Sequence, residues 1–274
     1  MKTRIITGIV LAAILIPLLF LPNVLFFSAV GIFSIIASYE MMHMFSKKHT
    51  FRLYLYFIHI VFTVIFYSVN IYALMYGLSY EMFITFLVLL FAINFSILIF
   101  DDLMNFIISS KMITSALYLG VSFSALAFLK TQGFQVIVYL LIVAMLTDVF
   151  AYFTGVKFGK HKLAPKISPK KTIEGSIGGT FFGVLLGTVF GLVFNLFDVD
   201  GLNVYIMWLI LIGITVSVSA QIGDLIASKL KRDHNIKDFS NLLPGHGGIL
   251  DRFDSTLFAS MLLMIFLLFL GGVQ

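Results

Sequence analysis

The chain lacks cysteine altogether, and charged side chains are scarce. The absence of cysteine excludes disulfide bonds, thiolate metal sites and a cysteine nucleophile. Only 11% of the 274 residues are Asp, Glu, Lys or Arg, and 60% are hydrophobic. In soluble domains about 25% of the residues are charged. Because so little charge cannot cover a water-exposed surface, the composition predicts a membrane protein.

The chain contains instead a series of apolar runs, several of them longer than the ~20 residues that cross a bilayer as a helix. They lack the ~10-residue alternating strands of a membrane β-barrel. We therefore predict an all-α fold, a polytopic bundle of about nine transmembrane helices. The first run follows a basic start and is predicted to be an uncleaved helix rather than a signal peptide. The predicted spans are 5–22, 24–45, 52–76, 80–100, 112–129, 133–156, 173–197, 203–226 and 253–272.

The basic residues between these spans predict the orientation of the chain. With the N-terminus in the cytoplasm and the C-terminus outside, every one of the 18 Lys and Arg residues except Lys130 lies on the cytoplasmic side, as the positive-inside rule requires. The net charge of +5 suits an anionic membrane face, and we expect no nucleic-acid partner.

Two long polar connections, 157–172 and 227–252, face the cytoplasm in this topology. No soluble domain is inserted between the spans. We therefore predict two regions, N-terminal membrane helices at 1–130 and a C-terminal region at 131–274 that carries both connections.

The connection 157–172 combines basic and hydroxyl side chains immediately before a predicted helix. Pro165 and Pro169 restrict its backbone. Cations and hydroxyl groups beside a helix N-terminus can bind phosphate, although a basic loop with an ordinary helix cap would need the same residues. Both interpretations stay open for Ser168, Lys170, Lys171 and Thr172.

Glycines recur at every fourth position of the next span, from Gly175 to Gly191. This spacing places them on one helix face, which is the small-xxx-small pattern of close helix packing in lipid. We interpret this glycine face as structural. Glu174, at the start of the same helix, is either a capping carboxylate favoured by the helix dipole or a site residue.

Four acidic residues lie within or beside predicted spans, where an unpaired carboxylate costs several kcal/mol. Asp148 and Asp224 lie inside apolar segments, and Asp251 and Asp254 share a helix face at the start of the last span. In the predicted topology all four lie near the cytoplasmic ends of their spans, so we expect them to converge at one membrane depth. Structural ion pairs with Lys or Arg are the alternative interpretation.

The acids and the connection 227–252 together suit a metal and a polyphosphate. Mg²⁺ prefers carboxylate oxygens and takes its remaining ligands from phosphates, so Asp224 and Asp251 are the predicted metal ligands. Cations in the connection can neutralise phosphate charge. They are Lys229, Lys231, Arg232 and Lys237.

The same connection contains a Pro-Gly-His-Gly-Gly turn at 244–248. Its glycines allow backbone N–H groups to approach an anion closely. We therefore predict that His246, with Gly247 and Gly248, binds phosphate or protonates a leaving group. A lone histidine is more often an ordinary hydrogen-bonded residue, but glycine on both sides favours a site of close approach.

Three stretches of the chain resemble motifs of the phosphatidate cytidylyltransferase (CDP-diacylglycerol synthase) family. They are DVFAYFTG at 148–155, ISPKKT at 167–172 followed by Glu174-Gly175, and 224–255, which contains LPGHGG and LDRFDS. The chain departs from the family pattern at three places. Ile173 stands where a Trp is usual, Ala227 where a Glu is expected, and Phe239-Ser240 where Ser-Gly is commoner.

The resemblance implies transfer of the cytidylyl group from CTP to phosphatidic acid in phospholipid biosynthesis, giving CDP-diacylglycerol and pyrophosphate. It implies Mg²⁺ as cofactor, with a second cation left open, and a bacterial inner-membrane enzyme whose active site faces the cytoplasm. A homodimer is a further prediction, from the family and the glycine face.

The site residues that the resemblance implies fall into two groups. The catalytic residues are Asp148, Asp224, Lys237 and Asp251, of which Asp224 and Asp251 bind the metal. The substrate-binding residues are Ser168, Lys170, Lys171, Thr172, Lys231, Arg232, His246, Gly247, Gly248, Arg252 and Asp254.

Two other functions remain open. A CTP-dependent lipid kinase, related to polyprenol kinases, would transfer the γ-phosphoryl group and release CDP instead of pyrophosphate. A membrane transporter with buried carboxylates is the other alternative. Transporters often have repeated halves, whereas this chain shows no half-to-half repeat.

Overall fold

The computed structural model describes residues 2–197 and 201–269, and these residues form nine helices and one short hairpin. The helices are α1 (Lys2–Phe20), α2 (Asn23–Phe45), α3 (Leu53–Tyr76), α4 (Tyr80–Phe100), α5 (Phe106–Thr131), α6 (Phe134–Phe158), α7 (Ile173–Val193), α8 (Leu202–Asp233) and α9 (Leu250–Phe269). Strands β1 (Lys162–Ala164) and β2 (Ser168–Thr172) pair antiparallel, with Lys162 opposite Thr172. The predicted all-α class is confirmed.

Seven of these helices, α2, α3 and α5 to α9, are long and apolar enough to cross a membrane. The described apolar stretches in α1 and α4, Thr7–Phe20 and Ile84–Phe100, are shorter. The chain is thus an integral membrane protein, and the predicted polytopic helix bundle is confirmed. The N-in/C-out orientation stays a prediction, because helix length and hydropathy do not distinguish one membrane face from the other.

Several helix bounds differ from the predicted ones. α5 begins at Phe106 rather than at 112, and α7 ends at Val193 rather than at 197. α8 continues to Asp233 rather than ending at 226, so the basic residues from Lys229 to Arg232 lie on a helix and not in a loop. α9 begins earlier than predicted and has Asp251 in its first turn. Cations in a last turn and an acid in a first turn stabilise a helix through its dipole. The predicted end of the last span, at 272, lies outside the described residues.

Close contacts divide the chain into two compact units. The first unit comprises Met1–Phe128 and His234–Asp251, and the second comprises Leu129–Asp233 and Arg252–Gln274. The start of α9 therefore belongs to the first unit and the rest of it to the second. The functional division predicted after residue 130 stays a prediction.

The first unit has an apolar cluster joined to a buried polar contact. Side chains of α3, α4 and α5 form the cluster, which contains Phe62, Phe66, Leu90 and Ala116. Nearby on α3, the fully buried His59 has its Nδ1 2.6 Å from Ser38 Oγ of α2 and its Nε2 2.8 Å from Ser115 Oγ of α5. Because a buried imidazole is costly without partners, these bonds link α3 to α2 and α5.

The second unit is built on the glycine face of α7. A Cβ atom on Gly179 would lie 2.5 Å from the carbonyl oxygen of Thr147 in α6, and one on Gly187 would lie 2.6 Å from Val143 Cγ2. A Cβ on Gly191 would likewise meet the side chain of Leu209 in α8. The predicted close packing is confirmed, and it lies within one chain rather than between two copies.

We expect Gly179→Val to separate α6 from α7, because a side chain has no space beside the Thr147 carbonyl oxygen. Overpacking of this kind lowers the free energy of unfolding by about 1–3 kcal/mol. The measurement heats the detergent-solubilised protein and records the fraction that stays monodisperse. The midpoint is the temperature at which this fraction has fallen to half. Val189→Leu, on the exposed face of the same helix, should leave that midpoint unchanged. Equal midpoints for the two variants would contradict the tight contact.

Candidate active site

The second unit contains a cavity of about 620 Å³ lined by residues of α6, the hairpin, α7 and α8. Small-molecule sites commonly have volumes of this order. Acidic, basic, hydroxyl and amide groups line it together, although the surrounding helices are apolar. The lining residues with polar side-chain groups are Asp148, Tyr152, Lys162, Lys170, Lys171, Thr172, Ser176, Gln221 and Asp224.

Opposite charges meet in this cavity. Lys171 of β2 forms an ion pair with Asp224 of α8, and the two side chains are 27% and 25% exposed. Asp148 lines the cavity from α6, and Lys170 lines it from β2. The structure therefore brings two predicted acids together with two predicted phosphate-binding lysines. The ion-pair interpretation also holds for Asp224, since Lys171 is its partner here.

Hydrogen bonds to Glu174 hold the loop before the hairpin against the start of α7, and they help to position the lysines of the hairpin. The Glu174 carboxylate accepts hydrogen bonds from Lys160 N at 3.0 Å and from His161 N at 3.2 Å. Its Oε1 also lies 2.6 Å from His161 Nδ1. These contacts support a structural role for Glu174, which holds the loop before β1 against the helix.

Thr172 caps the helix that follows the hairpin. Its Oγ1 accepts a hydrogen bond from Gly175 N at 3.1 Å, and the residue is 8% exposed. Glycine at 155 leaves room for this hydroxyl, because a Cβ there would lie 2.9 Å from Thr172 Oγ1. The cap interpretation is confirmed for Thr172, and its phosphate binding stays a prediction. Ser168 is half-buried on β2 and does not contribute to the cavity lining.

A chain of hydrogen bonds leads from the cavity into the helices. Ser176 Oγ donates to Gln221 Oε1 at 2.6 Å, and Gln221 Nε2 donates to Thr180 Oγ1 at 2.9 Å. Ser217 Oγ donates to Thr180 Oγ1 at 3.2 Å and accepts from Thr147 Oγ1 at 2.8 Å. Gln221 was not predicted, because its only signal is an amide one turn before a predicted acid. Its orientation is set by hydroxyl groups that are far away in the sequence.

Other predicted residues of the second unit lie on α8 and α9. Lys231 Nζ is 3.9 Å from Asp254 Oδ2, and the two side chains are 11% and 15% exposed. The helices approach closely at Gly223, where a Cβ would lie 2.6 Å from the Asp254 carbonyl oxygen. Arg232 and Arg252 are exposed. The approach of Lys231 to Asp254 supports the ion-pair interpretation for Asp254. Substrate binding by Lys231, Asp254, Arg232 and Arg252 stays a prediction.

In the first unit, the turn 244–248 is closed by its own backbone. Leu243 N donates to Gly247 O, and His246 N donates to Leu243 O, both at 2.8 Å. Gly245 and Gly247 have φ angles of 78° and 79°, which glycine adopts without strain. His246 Nδ1 is buried and has no hydrogen-bond partner among the described residues. Phosphate binding by His246 stays a prediction, because this nitrogen has no exposed surface.

Asp251, in the first turn of α9, binds the backbone around this turn. Its Oδ2 accepts hydrogen bonds from Phe239 N at 2.8 Å and Gly248 N at 2.9 Å, and the residue is 7% exposed. The predicted approach of a turn N–H group to an anion thus occurs within the chain, with the Asp251 carboxylate as the anion. Metal binding by Asp251 and catalysis by the exposed Lys237 stay predictions.

The predicted acids therefore have three different surroundings. Asp148 and Asp224 line one cavity, Asp254 lies near a lysine of α8, and Asp251 accepts bonds from backbone amides of the first unit. Convergence of all four at one depth stays a prediction. No three His, Asp or Glu side chains of the described residues are grouped as a metal site. Mg²⁺ commonly takes only one or two carboxylates and completes its shell with phosphate and water, so the oxygen donors of the cavity suit it.

One further acid, Glu40 of α2, contacts the segment around the turn. Its carboxylate accepts hydrogen bonds from Ser240 Oγ at 2.6 Å, Ile249 N at 3.0 Å and Leu250 N at 2.9 Å. It is 1% exposed. Glu40 was not predicted, although it is a lone acid in the apolar stretch IIASYEMMHMF, the signal that singled out Asp148.

Comparison with known proteins places the chain in a family. The sequence profile of the cytidylyltransferase family matches residues 2–270. The chain belongs to the cytidylyltransferase family. The predicted resemblance is thereby confirmed at the level of the family, and it extends beyond 145–255, where the motifs lie.

Curated relatives of the chain are named phosphatidate cytidylyltransferase. One from Staphylococcus haemolyticus is 36% identical over 164 residues, which are 60% of this chain and 61% of that protein. One from Staphylococcus saprophyticus is 33% identical over 164 residues, and one from Staphylococcus aureus is 35% identical over 167 residues, with the same shares. The chain therefore spans about three fifths of the length of the curated relatives it matches.

We expect Thr172→Ala to lower the free energy of unfolding by about 1 kcal/mol, because α7 loses its side-chain cap. Thr172→Ser keeps the hydroxyl group and should retain most of that stability. Thermal melting in detergent, followed by circular dichroism, compares the two variants with the unaltered protein. A serine variant as unstable as the alanine variant would show that the hydroxyl group is not the stabilising element.

Proposed function

We propose that the protein transfers the cytidylyl group of CTP to phosphatidic acid, giving CDP-diacylglycerol and pyrophosphate. The observation that carries the proposal is the cavity in which Asp148 and Asp224 lie with Lys170 and Lys171, in a chain of the cytidylyltransferase family. The names of the curated relatives support the same reaction. We place it at a bacterial inner membrane, with the cavity facing the cytoplasm, as the distribution of Lys and Arg predicts.

The proposed reaction needs little acid–base chemistry. A phosphate oxygen of phosphatidic acid attacks the α-phosphorus of CTP, a new P–O bond forms, and the bond to the β-phosphate oxygen breaks as pyrophosphate leaves. Because the attacking phosphate is already anionic, catalysis consists mainly of positioning and charge neutralisation. Lys170 and Lys171 supply positive charge in the cavity, and Lys171 is held in place by Asp224 until a phosphate takes its ammonium group.

Mg²⁺ is the cation that the donor set suits best, and a second cation is left open. Asp224 would hold it, with Asp148 lining the same cavity and Asp251 as the second predicted ligand. When bound, a divalent cation neutralises charge on the triphosphate. Gln221, held by Ser176 and Thr180, presents its amide group to the same cavity.

The remaining predicted residues have binding roles in this proposal. His246 would donate a hydrogen bond to a phosphate through its imidazole, which requires the buried Nδ1 to become accessible. Lys231, Arg232, Lys237 and Arg252 neutralise phosphate charge. A homodimer stays a prediction and would need a surface other than the glycine face, which packs within the chain.

The two rival functions have less support. A lipid kinase would use the same CTP but release CDP, and the family and the relatives' names favour cytidylyl transfer over it. A transporter has no support from the family. The products of CTP turnover distinguish all three functions.

We expect purified protein to incorporate α-labelled CTP into lipid and to release pyrophosphate when phosphatidic acid and Mg²⁺ are present. Asp224→Asn should lower the rate roughly 100-fold, as is usual when a preorganised charge is removed from a reaction centre. Asp233→Asn changes an exposed acid on the same helix and should leave the rate unchanged. CDP release without labelled lipid would indicate the kinase, and no CTP turnover would contradict both enzymatic proposals.

We expect activity to be lost when divalent cations are chelated and to return on addition of Mg²⁺. Asp148→Asn and Asp224→Asn should raise the Mg²⁺ concentration for half-maximal activity, because each removes a carboxylate from the cavity. Titrating Mg²⁺ at saturating CTP measures this concentration, with Asp233→Asn as the control. Unchanged Mg²⁺ requirements in both variants would exclude the cavity as the metal site.

A further inference from the structure

Glu40 is a buried acid for which the proposed reaction gives no role. It lies in α2, far in sequence from the other candidate residues, and is 1% exposed. Among the described residues, its three hydrogen-bond donors lie in the segment 240–250: Ser240 Oγ, Ile249 N and Leu250 N. Because a buried carboxylate is costly unless it is hydrogen-bonded, these bonds fix that segment to α2.

The backbone of the turn approaches Glu40 as closely as glycine permits. A Cβ atom on Gly248 would overlap the Glu40 carboxylate. The last glycine of the turn is therefore required by a neighbouring acid of the same chain. Its N–H group points to a different carboxylate, Asp251 Oδ2, at 2.9 Å.

Two carboxylates thus share three consecutive backbone amides. Asp251 takes the N–H of Gly248, and Glu40 takes those of Ile249 and Leu250. Acids at the start of a helix are also stabilised by the helix dipole. The carboxylates of Glu40 and Asp251 together fix the backbone from the end of the turn to the start of α9. Asp251 itself lies on α9.

α1 completes the surroundings of the turn. Thr7 Oγ1 donates to the carbonyl oxygen of Pro244 at 2.9 Å. A Cβ on Gly8 would lie 3.7 Å from His246 Nε2, so the imidazole packs against this helix. The turn that carries His246 therefore depends on residues of α1 and α2, which lie outside the motif-bearing stretch 145–255.

We propose that Glu40 is a positioning residue that holds the turn 244–248 and the start of α9, so that His246 is placed to bind the triphosphate of CTP and Asp251 is placed to hold the Mg²⁺ that accompanies it. The inference rests on the proposed function. Glu40 does not bind the nucleotide itself, because it is buried and a carboxylate would repel phosphate. It acts through the backbone of Ile249 and Leu250.

The test compares substitutions at both ends of the contact. Glu40→Gln keeps the side-chain size but sets an NH₂ group against one of the N–H or O–H donors. Glu40→Asp keeps the charge on a shorter side chain, and Ser240→Ala removes one donor without changing the carboxylate. Glu81→Gln changes an exposed glutamate at the start of α4 and is the matched control.

We expect kcat/KM for CTP to fall about tenfold in Glu40→Gln through a higher KM, as for the loss of one bond to a charged group. The KM for phosphatidic acid should stay near that of Glu81→Gln. Ser240→Ala should show a smaller change in the same direction, and Glu40→Asp should recover part of the loss. A Glu40→Gln variant that melts early and loses affinity for both substrates equally would reduce Glu40 to a structural residue and overturn the proposal.

A second measurement does not depend on activity. Hydrogen–deuterium exchange of peptides covering 240–255 should be about tenfold faster at Ile249 and Leu250 in Glu40→Gln than in Glu81→Gln, and faster by a smaller factor in Ser240→Ala. Unchanged exchange in both variants would overturn the proposal even if the enzyme is active. Faster exchange in a protein that turns over no CTP would keep Glu40 as the anchor of the turn while contradicting the proposed function.

Discussion

A carboxylate buried among apolar helices must be given a cation or several hydrogen bonds, and the candidate residues depend on how each unit meets this requirement. The second unit uses lysines, with Lys171 at Asp224 and Lys231 near Asp254. The first unit uses backbone amides, for Glu40 and Asp251. The two kinds of interaction differ in whether a ligand can replace them. An ion pair between side chains can be exchanged for a phosphate and a metal ion, whereas a carboxylate bound to backbone N–H groups fixes the shape of the chain.

Close packing of α6 against α7 helps to position the lysines of the hairpin. Glycines on α7 allow it to lie against α6, and Gly155 and Gly175 leave space for the capping hydroxyl of Thr172 between them. Glu174 then ties the loop before β1 to the same helix. The position of Lys171 in the cavity follows from uncharged helix contacts together with the Glu174 carboxylate. Apolar packing and polar chemistry are therefore coupled through a few small residues.

The class of fold and most candidate residues could be predicted from the sequence, because hydropathy and isolated charges are local signals. The cavity acids Asp148 and Asp224 stand out against apolar neighbours in the same way. Helix ends were predicted less well, since Lys229 and Arg232 resemble loop residues but extend α8. Glu40 and Gln221 could not be predicted as partners of the candidate site. Their contacts join residues about 200 and 45 positions apart, and one sequence does not show which distant segments meet.

The length of α8 has a consequence for where water and lipid meet. Its 32 residues extend about 48 Å at 1.5 Å per residue, whereas the hydrocarbon layer is only ~30 Å thick. Unless it is strongly tilted, a helix of this length extends beyond the hydrocarbon layer into the headgroup region. Asp224 lies before the end of α8 that bears Lys229, Lys231 and Arg232, so one helix carries both an acid of the cavity and a group of cations. In the proposed function, a water-soluble nucleotide and a bilayer-bound phosphate would then meet along one helix, and neither substrate would need to change solvent.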